Sequence, residues 1–318
     1  PPRSTLFPYT TLFRSLYEMS RESVDEEAPE YAVVALDPVN FEKPYTKKLE
    51  GVSTVRKSTP PDINGKARLT SGYPAMTASV VNTKIPAITY ANWFSYTTDF
   101  LSENLEIKAA IHSTRAVLAG YRVRYVTDAG LDDQKLFAEL AADEFVIRAS
   151  HFERHVEVYN ERLDRWETET LADLVDATLL THTFKVTFTH ARKTRQASLN
   201  VGWLAIRLPK TKQPLWLFVA YEAAIDRTTV LLTNVPLNNV SQARSIYDDW
   251  RSRARIEHGY RFDQEQGLDV EDMRVQTLEP MKRLFFLVLA AAQFIFFLID
   301  TWDRKSTRLN SSHSEISY

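Results

Sequence analysis

Three acidic residues stand at positions where carboxylates could act together in catalysis. Asp37 and Asp128 each follow a short run of apolar residues, and Glu257 lies within a segment with helical periodicity. Carboxylate oxygens are the ligands that Mg²⁺ and Mn²⁺ prefer in proteins. A single aspartate after a strand is usually a cap or turn residue, so spacing alone is a weak signal for such a metal site.

The elements that would position the two aspartates are predicted to be buried strands. Residues 31–36 form an apolar run that we expect to end at Asp37, because Pro38 cannot donate to a strand ladder. Residues 121–127 form a second β-rich run, which ends at Asp128. If the two strands are neighbours in a sheet, their ends meet at one sheet edge.

Helices and further strands follow an α/β order. Apolar residues at helical spacing predict a helix from about Asp99 to Ala119, followed by a short helix around 132–142. From Phe145 to Leu237 the pattern is dominated by strands, and beyond Ser241 it becomes helical. Residues 284–299 are almost unbroken Leu, Phe, Ala, Val and Ile, too short for a membrane span of about 20 residues, which favours a buried core helix over a membrane anchor.

The predicted helix around Glu257 gathers polar residues on one narrow face. At about 100° per residue, Trp250, Arg253, Glu257 and Gln264 fall at about 0°, 300°, 340° and 320°. A helix that faced only an apolar core would not normally place arginine, glutamate and glutamine there. The face therefore supports a functional role for Glu257.

The same residues resemble a known family. The stretch from Trp250 to Gln264 is similar to the YREK signature of insertion-sequence DDE transposases, in which Tyr-x-x-Arg-x-x-x-Glu is followed by six residues and a Lys. Val126-Thr-Asp128-Ala-Gly-Leu-Asp-Asp133 resembles the second-aspartate motif of that family. Ala35-Leu36-Asp37 stands where the first aspartate belongs, and the resemblance spans about residues 28–300.

The resemblance implies an RNase H-like α/β fold, a mixed sheet flanked by helices, with a β-rich insertion between the second Asp and the Glu. It implies that Asp37, Asp128 and Glu257 are both catalytic residues and ligands of two Mg²⁺ or Mn²⁺ ions. Two such ions about 4 Å apart would serve DNA-end hydrolysis and strand transfer. The same resemblance implies that double-stranded DNA is the partner and that the chain is a dimer on that DNA. It also implies a cytoplasmic, nucleoid-associated, bacterial-type location.

Two positions depart from the signature. Trp250 replaces the Tyr, which keeps an aromatic ring that packs or stacks near DNA. Gln264 replaces the Lys and cannot bring a positive charge to a phosphate. Arg251, Arg255 or Arg261 could substitute for it.

Local cationic clusters are candidates for DNA contacts. The formal net charge is −2, so the chain as a whole has no pull toward nucleic acid. Residues 43–68 are rich in lysine and arginine, and Arg192, Lys193 and Arg195 lie in a predicted hairpin tip before a strand at 197–208. These runs are either solvated faces or phosphate contacts, to be added to those predicted for Trp250, Arg253 and Gln264.

The sequence predicts five segments. The termini resemble translated sequencing adapters and are excluded from fold reasoning, with two disordered native ends as the alternative. The segments are an adapter-like tail (1–15), the first part of the RNase H-like core (16–144), a β-rich insertion (145–240), the C-terminal core helices with Glu257 (241–302) and a second adapter-like tail (303–318). A truncated, inactive transposase remnant is the alternative function.

Other chemistries have little support. There is no cysteine, which excludes thiol nucleophiles and disulfides and suits a reducing setting. No glycine-rich nucleotide-binding loop occurs, and no histidine pair has a carboxylate at the spacing of a zinc protease. Asp132 and Asp133 are interpreted as helix caps in preference to metal ligands. Trp216 is interpreted as a core residue, with base stacking as the alternative.

Overall fold

The computed structural model describes residues 7–44, 48–57, 59–60, 62–98, 101–190, 193–256 and 275–314. The chain is a mixed α/β protein with a large mixed sheet flanked by helices. The described residues divide into two compact units. Unit 1 takes those within Pro1–Ala32, Leu36–Gly120 and Ala254–Tyr318, and unit 2 takes those within Val33–Ala35 and Tyr121–Arg253.

The helices are α1 (Phe7–Glu27), α2 (Glu103–Val117), α3 (Gln134–Glu139), α4 (Leu171–Ala177), α5 (Val240–Ser252) and α6 (Leu278–Ser314). The strands are β1 (Ala32–Glu42), β2 (Ser53–Arg56), β3 (Leu69–Val80), β4 (Ala87–Trp93), β5 (Val123–Thr127), β6 (Glu144–Arg148), β7 (His155–Asn160), β8 (Arg165–Thr170), β9 (His182–His190), β10 (Lys193–Arg207), β11 (Pro214–Glu222) and β12 (Arg227–Thr233). Strand β1 contributes residues to both units.

Strand β1 is longer than the sequence predicts. The fully buried run does stop just before Asp37, but the strand continues through Pro38. Pairing with β3 goes on beyond the proline, where Lys43 N donates to Ser71 O at 2.7 Å. The predicted strand end at Asp37 was therefore wrong, because the change in pattern marks the limit of burial and not the limit of hydrogen bonding.

Helix α6 contains the apolar run 284–299. One face of it is buried as the sequence predicts, whereas Leu287, Phe294, Ile295 and Leu298 are 38–51% exposed. Phe285 packs on Trp93 and Phe41 of unit 1, with ring centroids 4.8 and 5.0 Å away, and Tyr73 stacks on Trp93 at 5.7 Å. These aromatic side chains are almost completely buried. Within the described part of the chain, no helix combines the length and the apolarity needed to cross a membrane.

Helices overlap both predicted tails. Helix α1 includes residues 7–15, and its Leu16 is fully buried in the core of unit 1. Helix α6 extends to Ser314. The adapter origin of both tails stays a prediction, which sequencing of the source DNA across both junctions tests.

Unit 2 is built on a mixed sheet. Residues Val33–Ala35 of β1 lie beside β5, and the order continues β6, β12, β11, β10, β7, β8, with β9 paired to β10. Strands β5 and β6 are parallel, and the remaining pairs for which a register is defined are antiparallel. The strand-rich character of 145–237 is thus confirmed, whereas its status as an insertion in an RNase H-like fold stays a prediction.

The β9–β10 hairpin is tighter than predicted. Phe184 and Val186 are buried and Lys185 is exposed, which confirms the alternation of a half-buried strand. Lys193 already pairs with His190, so the second strand begins before the predicted residue 197. Charged side chains on the exposed part of an antiparallel pair do not prevent ladder hydrogen bonds, so Arg195 belongs to the strand and not to a loop tip.

Helices α2 and α3 lie where the sequence predicts and begin at side-chain caps. Ser102 Oγ accepts a hydrogen bond from Leu105 N, and Asp133 accepts one from Lys135 N. The cap role of Asp133 is therefore confirmed. The same role for Asp132 was wrong, because its buried carboxylate forms an ion pair instead.

Gly202 on β10 lies where no side chain fits. A Cβ atom there would lie 2.2 Å from Leu179 O and 2.9 Å from Thr178 Cγ2. We expect Gly202→Ala to lower the free energy of unfolding by about 1–3 kcal/mol, because backbone must move to relieve the overlap. Urea unfolding followed by tryptophan fluorescence measures this.

Gly130 provides the matched control for Gly202, because no atom lies within 4 Å of a Cβ at that position. Gly130→Ala should leave the unfolding midpoint nearly unchanged. Equal stability of the two variants would contradict the crowding at β10.

Candidate metal and nucleic-acid site

Asp128 lies at the end of β5 with its carboxylate between cations. Its Oδ1 accepts a hydrogen bond from Ala129 N at 2.7 Å, which caps a short 3₁₀ turn. Arg148 Nη1 lies 3.6 Å from Oδ1, and Arg253 Nη2 lies 3.8 Å from Oδ2. The side chain is 42% exposed. Asp128 is thus a cap and also the centre of an accessible charged cluster.

The parallel pairing of β5 and β6 brings Arg148 to this position. Thr127 is in register with Ile147, so Asp128, the first residue after β5, lies beside Arg148, the last residue of β6. Arg148 is not among the site residues predicted from the sequence. The signal was present, because a charged residue directly follows the apolar Phe145-Val-Ile147 just as Asp128 follows its own strand.

A buried arginine holds α5 against strands β5 and β6. Arg124 is the second residue of β5 and is 5% exposed. Its Nη2 lies 2.6 Å from Glu144 Oε2 of β6, and its Nη1 forms an ion pair with Asp249 of α5. A second bond of Nη1 reaches Ser245 Oγ at 3.4 Å. The guanidinium therefore joins two strands and the helix, and it sets the position of the helix end.

Trp250 and Arg253, predicted to share a helix face, both reach the end of β5. Trp250 Nε1 donates to Thr127 O at 3.2 Å, next to the Asp128 that Arg253 approaches. Trp250 is half-buried and lies beside Tyr247, with ring centroids 6.0 Å apart. Glu257 and Gln264, the other two members of that face, lie outside the described residues.

We expect Trp250→Phe to lower the free energy of unfolding by about 1 kcal/mol, because it keeps the ring and removes the bond to the Thr127 carbonyl. Urea unfolding of purified variants measures the change. Trp203→Phe is the comparison variant. The Trp203 ring is half-buried and stacks on His182, with ring centroids 4.8 Å apart. A Trp250→Phe protein as stable as the wild type would show that the Nε1 bond contributes nothing.

Asp37 lies within unit 1. Its carboxylate belongs to a half-buried residue of β1, and its main-chain carbonyl accepts a hydrogen bond from Thr77 Oγ1 of β3 at 2.9 Å. This bond fixes the backbone of β1 where the fully buried run ends. The convergence of Asp37 with Asp128 and Glu257 stays a prediction.

The described residues do not by themselves form a metal site. Among them, no three His, Cys, Asp or Glu side chains are grouped so that they could hold an ion. The charged neighbours of Asp128 named above are guanidiniums, which compensate a carboxylate but cannot ligate Mg²⁺. Asp128 itself has the accessibility and the oxygen donors that such an ion needs. That Asp37 and Glu257 add further donors stays a prediction.

Of the three predicted hairpin cations, Arg195 is the one whose side chain is described. It forms an ion pair with the buried Glu222 and stacks on Phe188, with Cζ 4.8 Å from the ring centroid. The hydrogen bond to Glu222 holds the pKa of Arg195 above its ordinary value. Arg192 and the side chain of Lys193 lie outside the described residues.

Two further cations have structural partners instead of open solvent. Arg255 of unit 1 donates to Val81 O at 2.5 Å and to Lys84 O at 2.7 Å, and burial lowers its pKa. Lys43 is buried, at 2% exposure. Arg255 is thus a poor substitute for the missing Lys of the signature, and Lys43 is a poor phosphate contact. Arg261 lies outside the described residues.

Fold and site together define a mixed α/β protein with a strand-end carboxylate flanked by two guanidiniums. No family model and no curated protein match the sequence. Among solved structures, the chain is similar to a piggyBac transposase in a synaptic complex with hairpin DNA, determined by cryo-electron microscopy, with a TM-score of 0.47 and 9% identity over 86% of this chain and 48% of that one. The chain thus spans about half the length of that protein, and no function follows from a likeness at this level.

Proposed function

We propose that the chain is the catalytic core of a DDE-type DNA transposase. The observation that carries the proposal is a contact between two motifs that are far apart in sequence. Trp250 and Arg253, which stand at the Tyr and Arg positions of the YREK-type signature, contact Thr127 and Asp128 of the second-aspartate motif. A contact of this kind is expected if both motifs serve one site.

In this proposal Asp37, Asp128 and Glu257 hold two Mg²⁺ or Mn²⁺ ions. When bound, such ions activate the attacking oxygen and stabilise the leaving oxygen of an in-line displacement. The carboxylate of Asp128 is accessible, and its two guanidinium contacts, at 3.6 and 3.8 Å, are longer than charge-assisted hydrogen bonds. Incoming cations could therefore take over the carboxylate while Arg148 and Arg253 turn to phosphate oxygens.

The proposed reaction replaces one phosphodiester bond. A water oxygen or a 3′-hydroxyl oxygen bonds to phosphorus and loses its proton to solvent, while the bond from phosphorus to the original 3′-oxygen breaks and that oxygen gains a proton. Arg148 and Arg253 of unit 2 would hold the phosphate at Asp128 through its non-bridging oxygens. Trp250, anchored through its Nε1 bond to Thr127 O, would keep Arg253 at the strand end.

Double-stranded DNA is the proposed partner, with two chains on the two DNA ends. The test uses duplexes that carry the ends of the DNA element encoding this chain, incubated with Mg²⁺, with Mn²⁺ or with EDTA. We expect strand cleavage at the element ends with either ion and none with EDTA. No cleavage with either ion, or equal cleavage in EDTA, would contradict the proposal.

An inactive transposase remnant is the second candidate, favoured by Gln264 at the Lys position of the signature. Gln264→Lys distinguishes the two in the same cleavage assay. A remnant that lost only this contact should gain cleavage at the element ends on restoration of the charge. A chain that is active as it stands should show cleavage before the change.

A further inference from the structure

Charge is divided unevenly along unit 2. Residues 153–176, which form β7, β8 and α4, contain eight acidic and three basic residues. The next 45 residues, 177–221, contain no Asp or Glu and seven Lys or Arg. The seven are Lys185, Arg192, Lys193, Arg195, Arg207, Lys210 and Lys212. The β9–β10 hairpin is thus the basic part of a unit whose neighbouring hairpin is acidic.

An aromatic ring holds two guanidiniums at this hairpin. Arg195 of β10 and Arg251 of α5 both lie over Phe188, with Cζ 4.8 and 4.4 Å from the ring centroid. Arg251 Nη2 also donates to Thr187 O at 2.6 Å, which uses one of its five N–H donors. Stacking and this bond fix the guanidinium plane, so less conformational freedom is lost when the remaining donors bind a ligand.

The anions nearby do not balance these cations. Arg244 lies over Phe184 at 5.8 Å and joins Arg195 and Arg251 to give three positive charges. Glu222 pairs with Arg195, and Asp248 lies 3.4 Å from Arg244 and 3.8 Å from Arg251. Three positive charges therefore stand against two negative ones, which leaves a net charge of +1.

The cations at the other end of β10 share one carboxylate and leave a similar net charge. Arg207 and Lys212 both bind Glu157 of β7, at 2.5 and 2.7 Å. Arg207 also stacks on Trp166 at 3.8 Å. Net charge therefore does not separate the two ends. What distinguishes Arg195, Arg244 and Arg251 is that two of them lie on α5, the helix whose end reaches Asp128.

We propose that Arg195, Arg244 and Arg251, here called the arginine surface, bind the phosphate backbone of duplex DNA and lead it to Asp128. The last turn of α5 connects the two places, because Arg251 faces β9 while Arg253, two residues on, lies 3.8 Å from Asp128. Planar, fixed guanidiniums suit phosphate oxygens, and stacked arginines keep donors for them. This inference rests on the proposed function for its partner and adds where on unit 2 that partner lies.

The experiment measures DNA binding without cleavage. Fluorescence anisotropy with a fluorescein-labelled duplex of arbitrary sequence, in EDTA and at several salt concentrations, gives the affinity and its salt dependence. We expect Arg251→Gln to weaken binding about fivefold and to reduce the slope of log K against log salt by about one. Arg251→Lys should leave the salt slope nearly unchanged, because it keeps the positive charge. It should still lower the affinity, because the stacked guanidinium plane is lost.

Arg162→Gln is the matched control, because Arg162 is an exposed arginine of the acidic β7–β8 hairpin. It should leave affinity and slope unchanged. Arg195 is tested in the double variant Arg195→Gln/Glu222→Gln, because removing Arg195 alone would leave the buried Glu222 carboxylate unpaired. We again expect the slope of log K against log salt to fall by about one. Thermal unfolding of every variant separates loss of folding from loss of binding.

Unchanged affinity and slope in Arg251→Gln, or an equal loss in Arg162→Gln, would overturn the inference. Binding to phosphatidylserine vesicles that depends on Arg251 while duplex binding does not would also overturn it. A protein that binds duplex through Arg251 but never cleaves it would defeat the proposed function alone. Cleavage that is unaffected by Arg251→Gln, with unaffected binding, would defeat this inference alone.

Discussion

Asp128→Asn is expected to reduce metal-dependent cleavage of the element ends at least about 100-fold, because it removes a charged ligand of the ions that perform the displacement. Asparagine is as good a helix cap as aspartate. The substitution therefore keeps the bond to Ala129 N that Asp128 makes in the fold and removes only the negative charge. Rates are measured on the duplexes described above, at equal protein concentration.

Asp176→Asn serves as the control for this loss, because Asp176 is an exposed aspartate of α4 in the same unit. It should cleave at the wild-type rate. Thermal unfolding should place all three proteins at nearly the same midpoint. Cleavage by Asp128→Asn within a few-fold of wild type would rule out a catalytic role for this carboxylate.

Arg124→Met should lower the free energy of unfolding by about 3–5 kcal/mol, because it leaves two carboxylates without the cation between them. Arg124 is buried in β5 and binds both Glu144 and Asp249. Methionine has a similar length and no charge, so the loss of packing is small. Urea unfolding followed by tryptophan fluorescence measures the change.

Arg122 offers the comparison for Arg124, since it lies 3.5 Å from the same Glu144 with a side chain that is 51% exposed. Exposed ion pairs contribute at most about 1 kcal/mol, so Arg122→Gln should have a small effect. Combining Arg124→Met with Glu144→Gln and Asp249→Asn should recover much of the stability. Equal losses in Arg122→Gln and Arg124→Met would show that burial of the guanidinium is not what anchors α5.

Local patterns in the sequence predict much of this fold. Helical spacing locates α2, and alternation locates β9, because each pattern reports which side of an element faces the core. The apolar run before Asp128 locates β5 and places the aspartate at its end. The shared face of Trp250 and Arg253 predicts that both side chains act at one place, and their contacts with Thr127 and Asp128 agree with it.

Contacts between distant residues are what the sequence does not predict. Arg148 reaches Asp128 only because β5 and β6 are parallel neighbours, which no local pattern encodes. Likewise, Asp132 was expected to cap a helix, yet it is buried against Arg154, with Nη1 2.6 Å from its Oδ1. Its Oδ2 also accepts a hydrogen bond from Ser150 N. A buried carboxylate needs a cation, and that cation comes from a loop 22 residues on.

Strand β1 is a third example of a feature that depends on distant residues, because its extent is set by its pairing with β3. The pattern at Asp37 and Pro38 is that of a strand end, and burial does change there. The strand continues because its neighbour supplies hydrogen bonds farther along. Which residues of β1 are strand is therefore decided by β3 and not by the apolar run itself.

The most direct test of the proposed site counts bound Mn²⁺ by electron paramagnetic resonance, with wild-type chain and duplex DNA titrated together. We predict about two ions per chain, and a loss of at least one in each of Asp37→Asn, Asp128→Asn and Glu257→Gln. Asp176→Asn should bind as the wild type does. Absence of bound Mn²⁺ in the wild type, or full binding in all three variants, would contradict the assignment of Asp37, Asp128 and Glu257 as the metal ligands.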